Sequence, residues 1–500
     1  MSDTSLWPRL VLPVVLLAAG PSCAPGPVPS VPASPPSVPS AASVPSAAAS
    51  APAASAPSAQ ASTQPAAPAT PNAEATVPGV ALPDSAAGRQ FAGWLEAFNS
   101  GDRQKLLAHH ERGFPYAVAS EGVKDIEREH RLSMATAGFE VRRIEQAESD
   151  RLEVLLRERK RPQYARVYLQ VSPEPPHAVV RFRIGPIATP LELLSPEERA
   201  ARTIDAKARA AAIESISQQL KAHYISAETA KRVSGRLLKK QARGDYDALS
   251  DAIDFAEALN RDLRRLARDK HIGLHFGPMP PDPRVETAEP PWLAQVGYGF
   301  GPVARLEGNV AHLVINGFPP PFPSERQAIA ERMSAIADAD AVIIDLRDNN
   351  GGVPTTVTLM ASYFFDDEPV QLNTIYRRDT NHTQEEWSER VLPGKRFGSR
   401  KPVYVLTSSR TFSGGEGLAY ALQAQGRALV VGEPTGGGAH PTQPYPVAGG
   451  YVLMVPWGES INSITGTNWE GIGVVPDVLV PADQALEAAQ RLTREKLARR

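Results

Sequence analysis

Ala341-Val342-Ile343-Ile344-Asp345-Leu346-Arg347-Asp348-Asn349-Asn350-Gly351-Gly352 reads as a strand that runs straight into a polar turn ending in paired glycines. The apolar run does not alternate, which marks a strand covered on both faces, as the strands of parallel sheets are. Working outward, Val310 to Ile315 has strand character, Ser324 to Ala337 helical period, and Thr355 to Phe365 helical period again. Val403 to Leu406 then reads as a strand, Gly415 to Gln425 as a helix, and Ala428 to Val431 as a strand. This alternation predicts an α/β core of βαβ units over 290–485, with a largely parallel, helix-covered sheet. In such sheets the loops at the strand ends are the usual seat of chemistry.

Two further segments precede that core. Ser195-Pro196-Glu197-Glu198 is a helix-start signal, with serine as cap and acids in the first turn. Helical patterns follow over Ala208 to Tyr224 and Ala256 to Arg268, so 195–277 is expected to be a small helical domain. It closes on Arg268 to Phe276, where alternation announces a strand beginning around His271. Over 86–192 an α+β domain is expected: Phe91, Trp94, Leu95 and Phe98 share one face of a helix, and Leu152 to Leu156, Ala165 to Val171 and His177 to Ile184 alternate as strands. Its opening, Trp94-Leu95-Glu96-Ala97-Phe98-Asn99-Ser100-Gly101-Asp102, resembles nuclear-transport-factor-2-like cones, although the aromatics suit core packing equally well.

The chain starts differently. Arg9 followed by Leu10 to Ala19 is an apolar run too short to span a bilayer, and 1–23 reads as a secretory signal peptide. Cys23, the only cysteine, stands where a lipoprotein would be acylated, although Gly20 replaces the leucine favoured three residues earlier. The expected location is therefore exported: cell envelope or periplasm with a lipid tether at the membrane, or plain secretion. Residues 24–85 are Pro, Ala, Ser and Val with few charges, too little bulky apolar surface to offset chain entropy, so a disordered linker is expected. With 53 basic and 55 acidic residues in 500, the chain lacks the positive excess that binds nucleic acid. A single cysteine excludes internal disulfides and thiolate-rich metal clusters.

Four stretches of sequence carry residues suited to chemistry. Ser413 follows the strand Val403 to Leu406 and opens a helix, where its hydroxyl can be presented beside the Gly414 amide. A plain helix-capping serine would look the same. Gly351 and Gly352 allow backbone amides to face a ligand or simply make a tight turn, and His271 at a strand start and Glu470 in a loop suit either acid–base chemistry or a structural role.

In order and detail, Ile344 to Gly352, Thr407 to Glu416, Gly432-Glu433-Pro434-Thr435-Gly436-Gly437-Gly438-Ala439-His440 and Asn468 to Asp477 resemble the serine peptidase family of C-terminal-processing proteases, tricorn protease and interphotoreceptor retinoid-binding protein. The resemblance implies a crotonase/Clp-like spiral of βαβ units, a protein or peptide substrate, and no cofactor or metal. The processing proteases use a lysine base, but position 438 is glycine here and no lysine lies between Ser413 and Glu470. The resemblance is therefore to the tricorn-like branch. It implies Ser413 as nucleophile, His271 as base, Glu470 as the carboxylate orienting it, directly or through another side chain, and Gly414 with Gly351 or Gly352 as oxyanion donors. His275 and His440 are the lesser candidates for the base. Val296-Gly297-Tyr298-Gly299-Phe300-Gly301 lacks the remainder of a carboxylate-binding PDZ module. A non-catalytic binding protein for an apolar ligand or peptide on the same fold is the alternative function. Oligomeric state is left open.

Overall fold

The computed structural model describes residues 80–114, 122–279 and 289–499. The expected leader, Cys23 and nearly all of the expected linker fall outside those residues. No helix among the described residues is long and apolar enough to cross a membrane.

Helices α1 (Ala86–Asn99), α2 (Arg103–Gly113) and α3 (Gly122–Thr136) pack on an antiparallel meander of β1 (Phe139–Ala147), β2 (Arg151–Glu158), β3 (Tyr164–Val171) and β4 (Val179–Ile187). The apolar stripe of α1 is buried as its spacing predicts: Phe91, Trp94 and Phe98 join Leu152, Val154 and Val167 in one core. Asp102 caps α2 by accepting from the N–H groups of Gln104 and Lys105.

After α4 (Pro196–Arg202), α5 (Ala206–His223), α6 (Ala227–Ala242) and α7 (Ala252–Ala267) form the expected helical layer, with Ile213, Ile216, Leu237, Phe255 and Leu259 in its core. The strand that follows, β5 (Gly273–Phe276), starts two residues beyond His271. It stays packed on the helices, with Leu274 in their core, while its edge is free to join another sheet.

Beyond α8 (Pro291–Gln295) come β6 (Ala304–Leu306), β7 (Val310–Val314), α9 (Pro323–Ile336), β8 (Ala341–Asp345) and α10 (Pro354–Ser362). A hairpin of β9 (Gln371–Arg377) and β10 (His382–Trp387) precedes β11 (Val403–Thr407), α11 (Gly414–Ala424) and β12 (Leu429–Gly432). The chain closes with β13 (Thr442–Val447), β14 (Tyr451–Pro456), β15 (Gly458–Asn462), β16 (Val478–Leu479) and α12 (Ala485–Ala498).

The central sheet has the order β16-β12-β11-β8-β7-β6, parallel throughout except for the β6 edge. Alternate residues of β8 face opposite cores: Val342 and Ile344 lie with α9 to α11 on one side, and Ala341 and Ile343 lie with α12 on the other. This two-sided burial is why the strand reads as a continuous apolar run. Two small sheets flank it, β13-β14-β5 and β10-β9-β15. In the first, β5 pairs antiparallel with β14, Leu274 opposite Leu453, which joins the helical segment's last strand to a sheet built from the C-terminal part of the chain.

Candidate active site

The turn between β11 and α11 holds Ser413 at φ +52° and ψ −119°. An L-residue occupies that region only where its surroundings impose it. Much of the constraint comes from Glu416, in the first turn of α11. Its buried carboxylate accepts from Ser413 N–H at 2.8 Å, Gly437 N–H at 2.5 Å, Gly438 N–H at 2.9 Å and the Thr435 hydroxyl at 2.5 Å. One side chain thus pins the serine to the 435–438 loop. Burial pushes this carboxyl up to about 7 despite the four donors.

The loop after β8 is built the same way. Arg347 Nε and Nη2 donate to the two oxygens of Asp345 at 2.8 and 2.6 Å, and Nη1 donates to the Ala482 carbonyl at 2.8 Å. Burial opposes ionisation of Asp345, but the Arg347 hydrogen bonds outweigh it and hold the carboxyl well below the ordinary range. Asn349 donates to the Ile315 carbonyl at 3.0 Å and accepts the Gly351 N–H at 2.8 Å. Gly351, at φ +104°, lies directly against the serine: a Cβ there would stand 2.7 Å from Ser413 Cβ and 2.9 Å from Gly414 N. Its own N–H is committed to Asn349. The N–H groups of Gly352 and Gly414 have no partner among the described residues. The two lie close together in the serine turn, since a Cβ on Gly414 would stand 3.0 Å from Gly352 N.

His271 reaches this place because β5 pairs with β14. Its ring rests on Phe412, centroids 4.7 Å apart and planes inclined at 31°. A Cβ at position 438 would lie 2.6 Å from His271 Cε1 and would also run into the Phe412 ring. The missing side chain at Gly438 is what leaves room for the imidazole. Burial pulls this histidine down to about 4, and neither ring nitrogen has a hydrogen-bond partner among the described residues. Nδ1 stands 3.9 Å from Asp269 Oδ1, which accepts the His271 backbone N–H at 2.8 Å.

Asp269 also faces a second histidine. Its Oδ2 lies 2.8 Å from His440 Nδ1 and accepts the Tyr224 hydroxyl at 3.1 Å. Burial would lower His440, but the bond to Asp269 outweighs it and the imidazole is raised above its ordinary value. Glu470 Oε2 accepts the Ala439 N–H at 2.6 Å and lies 3.7 Å from His440 Nδ1. Burial drives the Glu470 carboxyl upward, and its Oε1 is buried without a partner among the described residues.

The structure therefore assembles Ser413, Gly414, Gly351 and Gly352 as one unit, with His271 against the residue preceding the serine. Glu470 stands beside His440, not His271. The residue missed by sequence reasoning is Asp269, which touches both histidines. Its Asp-x-His spacing at the foot of a strand was the available signal. Asp269, His440 and Glu470 bring donor atoms within 4.8 Å of one another, a set that could hold a metal ion, although Asp269 and His440 already satisfy each other by hydrogen bonding. Ser413 and His440 both line a cleft walled by Val357, Leu372, Ile375 and Trp469.

Residues 309–480 match the model of Peptidase family S41, and residues 200–295 match that of the N-terminal domain of Peptidase S41 in eukaryotic IRBP. Among solved structures, a lipoprotein from Streptococcus agalactiae aligns at 12% identity over 61% of this chain and 98% of its own, with a TM-score of 0.40. A putative peptidase from Parabacteroides merdae aligns at 16% identity over 57% of this chain and 96% of its own, TM-score 0.42. A photosystem II D1 C-terminal processing protease aligns at 14% identity over 57% of this chain and 97% of its own, TM-score 0.38.

Proposed function

We propose, from the premise that the chain belongs to peptidase family S41 through residues 200–295 and 309–480 and is a serine-type peptidase, that Ser413 attacks the peptide carbonyl and His271 takes its proton. The observation that carries this reading is the strained Ser413, set beside the free N–H groups of Gly352 and Gly414 with the unbonded ring of His271 packed on Phe412. A serine hydroxyl is a weak nucleophile until a base accepts its proton. The neutral imidazole of His271 is in the protonation state that such a base requires. As the carbonyl becomes tetrahedral, its oxygen gains negative charge, and each pre-aimed N–H is worth about 3 kcal/mol there. The proton then passes from His271 to the leaving amine, and water repeats the sequence to release the acyl group from Ser413.

Asp269 is the carboxylate placed to steady His271, with only 3.9 Å to close between Oδ1 and Nδ1. Glu470 acts one step further out, through His440 and Asp269. Substrates are peptides or proteins. The 1–23 leader supports export, with Cys23 as the residue for a lipid tether.

The alternative, a binding protein on the same fold, draws on the absence of a hydrogen bond between His271 and Ser413 among the described residues. A serine-directed fluorophosphonate separates the two readings. Labelling of Ser413 that disappears in His271→Ala, together with cleavage of a mixed peptide library, establishes the peptidase mechanism. No labelling and no new termini would favour the binding protein.

A further inference from the structure

The cleft that Ser413 lines is mostly apolar, and among its few polar lining residues are Glu386 and Asn373. On β10, strand alternation turns Glu385 and Trp387 outward to solvent and leaves Glu386 half-buried on the cleft side. Its register partner on β9 is Asn373, which also lines the cleft. Asn373 Nδ2 donates to Glu386 Oε2 at 3.3 Å. No lysine, arginine or histidine among the described residues pairs with Glu386. Asn373 Oδ1 is buried without a donor.

This pair in the cleft wall therefore presents acceptors in excess: a carboxylate with one long amide contact, and a buried amide oxygen with none. Neighbouring polar groups do not remedy this, because Asn462 spends its amide on the Leu372 carbonyl and its oxygen on the N–H groups of Ile464 and Thr465. The other ionisable side chain closest in kind, His440, has its Nδ1 engaged by Asp269. Buried acceptors without donors are costly. A carboxylate in apolar surroundings is relieved by taking up a proton or by a cation that comes to it, and burial here pushes Glu386 up to about 7 when it stands alone.

We infer that this cleft takes the substrate side chain next to the scissile bond, and that Glu386 with Asn373 selects one with an apolar stem and a cationic, donor-only tip, as in lysine or arginine. Val357, Leu372 and Ile375 match the methylene stem, which prefers apolar contact. The tip supplies only donors, which is what this pair lacks. Glu386 is thus a specificity-determining residue. The inference rests on the peptidase reading, because Ser413 defines where in the cleft the scissile bond lies.

The test compares acetyl-Ala-Ala-Lys-aminomethylcoumarin with its norleucine counterpart, which keeps the stem and loses the charge. The native protein is expected to show a kcat/KM at least tenfold higher for the lysine peptide, and Glu386→Gln is expected to reduce that ratio at least fivefold. Binding of the same two peptides to Ser413→Ala, followed by fluorescence anisotropy, reads the preference without turnover. A lysine preference in binding without cleavage by the native protein would uphold the specificity and overturn the peptidase reading. Equal values for the two peptides in both assays, or a ratio unchanged in Glu386→Gln, would overturn the inference.

Discussion

Asp269 holds His440, with Oδ2 placed 2.8 Å from its Nδ1, while the other carboxylate oxygen takes the backbone N–H of His271. The two histidines near Ser413 are thereby referenced to one buried carboxylate, itself further fixed by Tyr224. Glu470 approaches this group beside His440, at 3.7 Å from its Nδ1.

Asp269→Asn is accordingly expected to lower kcat by about 10²-fold or more, because it removes the charge that would stabilise the imidazolium and misorients both rings. Glu470→Gln is expected to cost roughly tenfold or less, acting at one remove. Steady-state kinetics with melting temperatures for both variants decides this; a larger loss for Glu470→Gln would return the orienting role to Glu470.

Ser413→Ala is expected to leave the fold intact and lower peptide turnover by about 10⁴-fold or more. The serine side chain carries little packing, whereas the Glu416 hydrogen bonds that shape the turn go to backbone groups and Thr435. Circular dichroism and mass-spectrometric detection of new termini check both halves of the statement.

Gly438→Ala places a methyl 2.6 Å from His271 Cε1 and into the Phe412 ring. Overpacking of this kind costs about 1–3 kcal/mol. The variant should melt lower and also lose activity, because relief comes most readily from displacing the imidazole. A Gly438→Ala protein with native kcat/KM would show that His271 does not need that space.

The pH dependence follows from His271, lowered by burial from 6.5 to about 4. In the proposed role of base it must be neutral, so kcat/KM for the free enzyme should hold below pH 6.5 and fall by half near pH 4. Stability moves the same way. Below pH 6.5 the unfolded chain binds a proton at this residue that the folded chain refuses, so the group's contribution, complete above 6.5, is lost as pH falls toward 4. Chemical denaturation at pH 7.5 and pH 5 in native protein and His271→Phe isolates it: the pH difference should shrink in the variant.

Much of this was legible in the chain. The unbroken apolar run of Ala341 to Ile344 declares a strand buried on both faces, and its glycine-ended turn declares a loop at the sheet's functional edge, because those properties depend on local pattern and backbone freedom. Ser413 was legible for the same reason, lying between a buried strand and a helix start. Strands β9, β10 and β13 carry less clear patterns, with prolines, charges and half-buried positions, and became strands only through their partners.

The sequence by itself determined the parallel core, the serine turn and the glycines around it, since period, side-chain volume and φ preference act within a few residues. Only the tertiary structure decided which carboxylate meets which histidine. The pairing of β5 with β14 carries Asp269 and His271 across the chain to His440 and Phe412. The balance of burial against hydrogen bonding at those groups exists only once they are packed together, because charge–charge and desolvation energies depend on distances that no local pattern fixes.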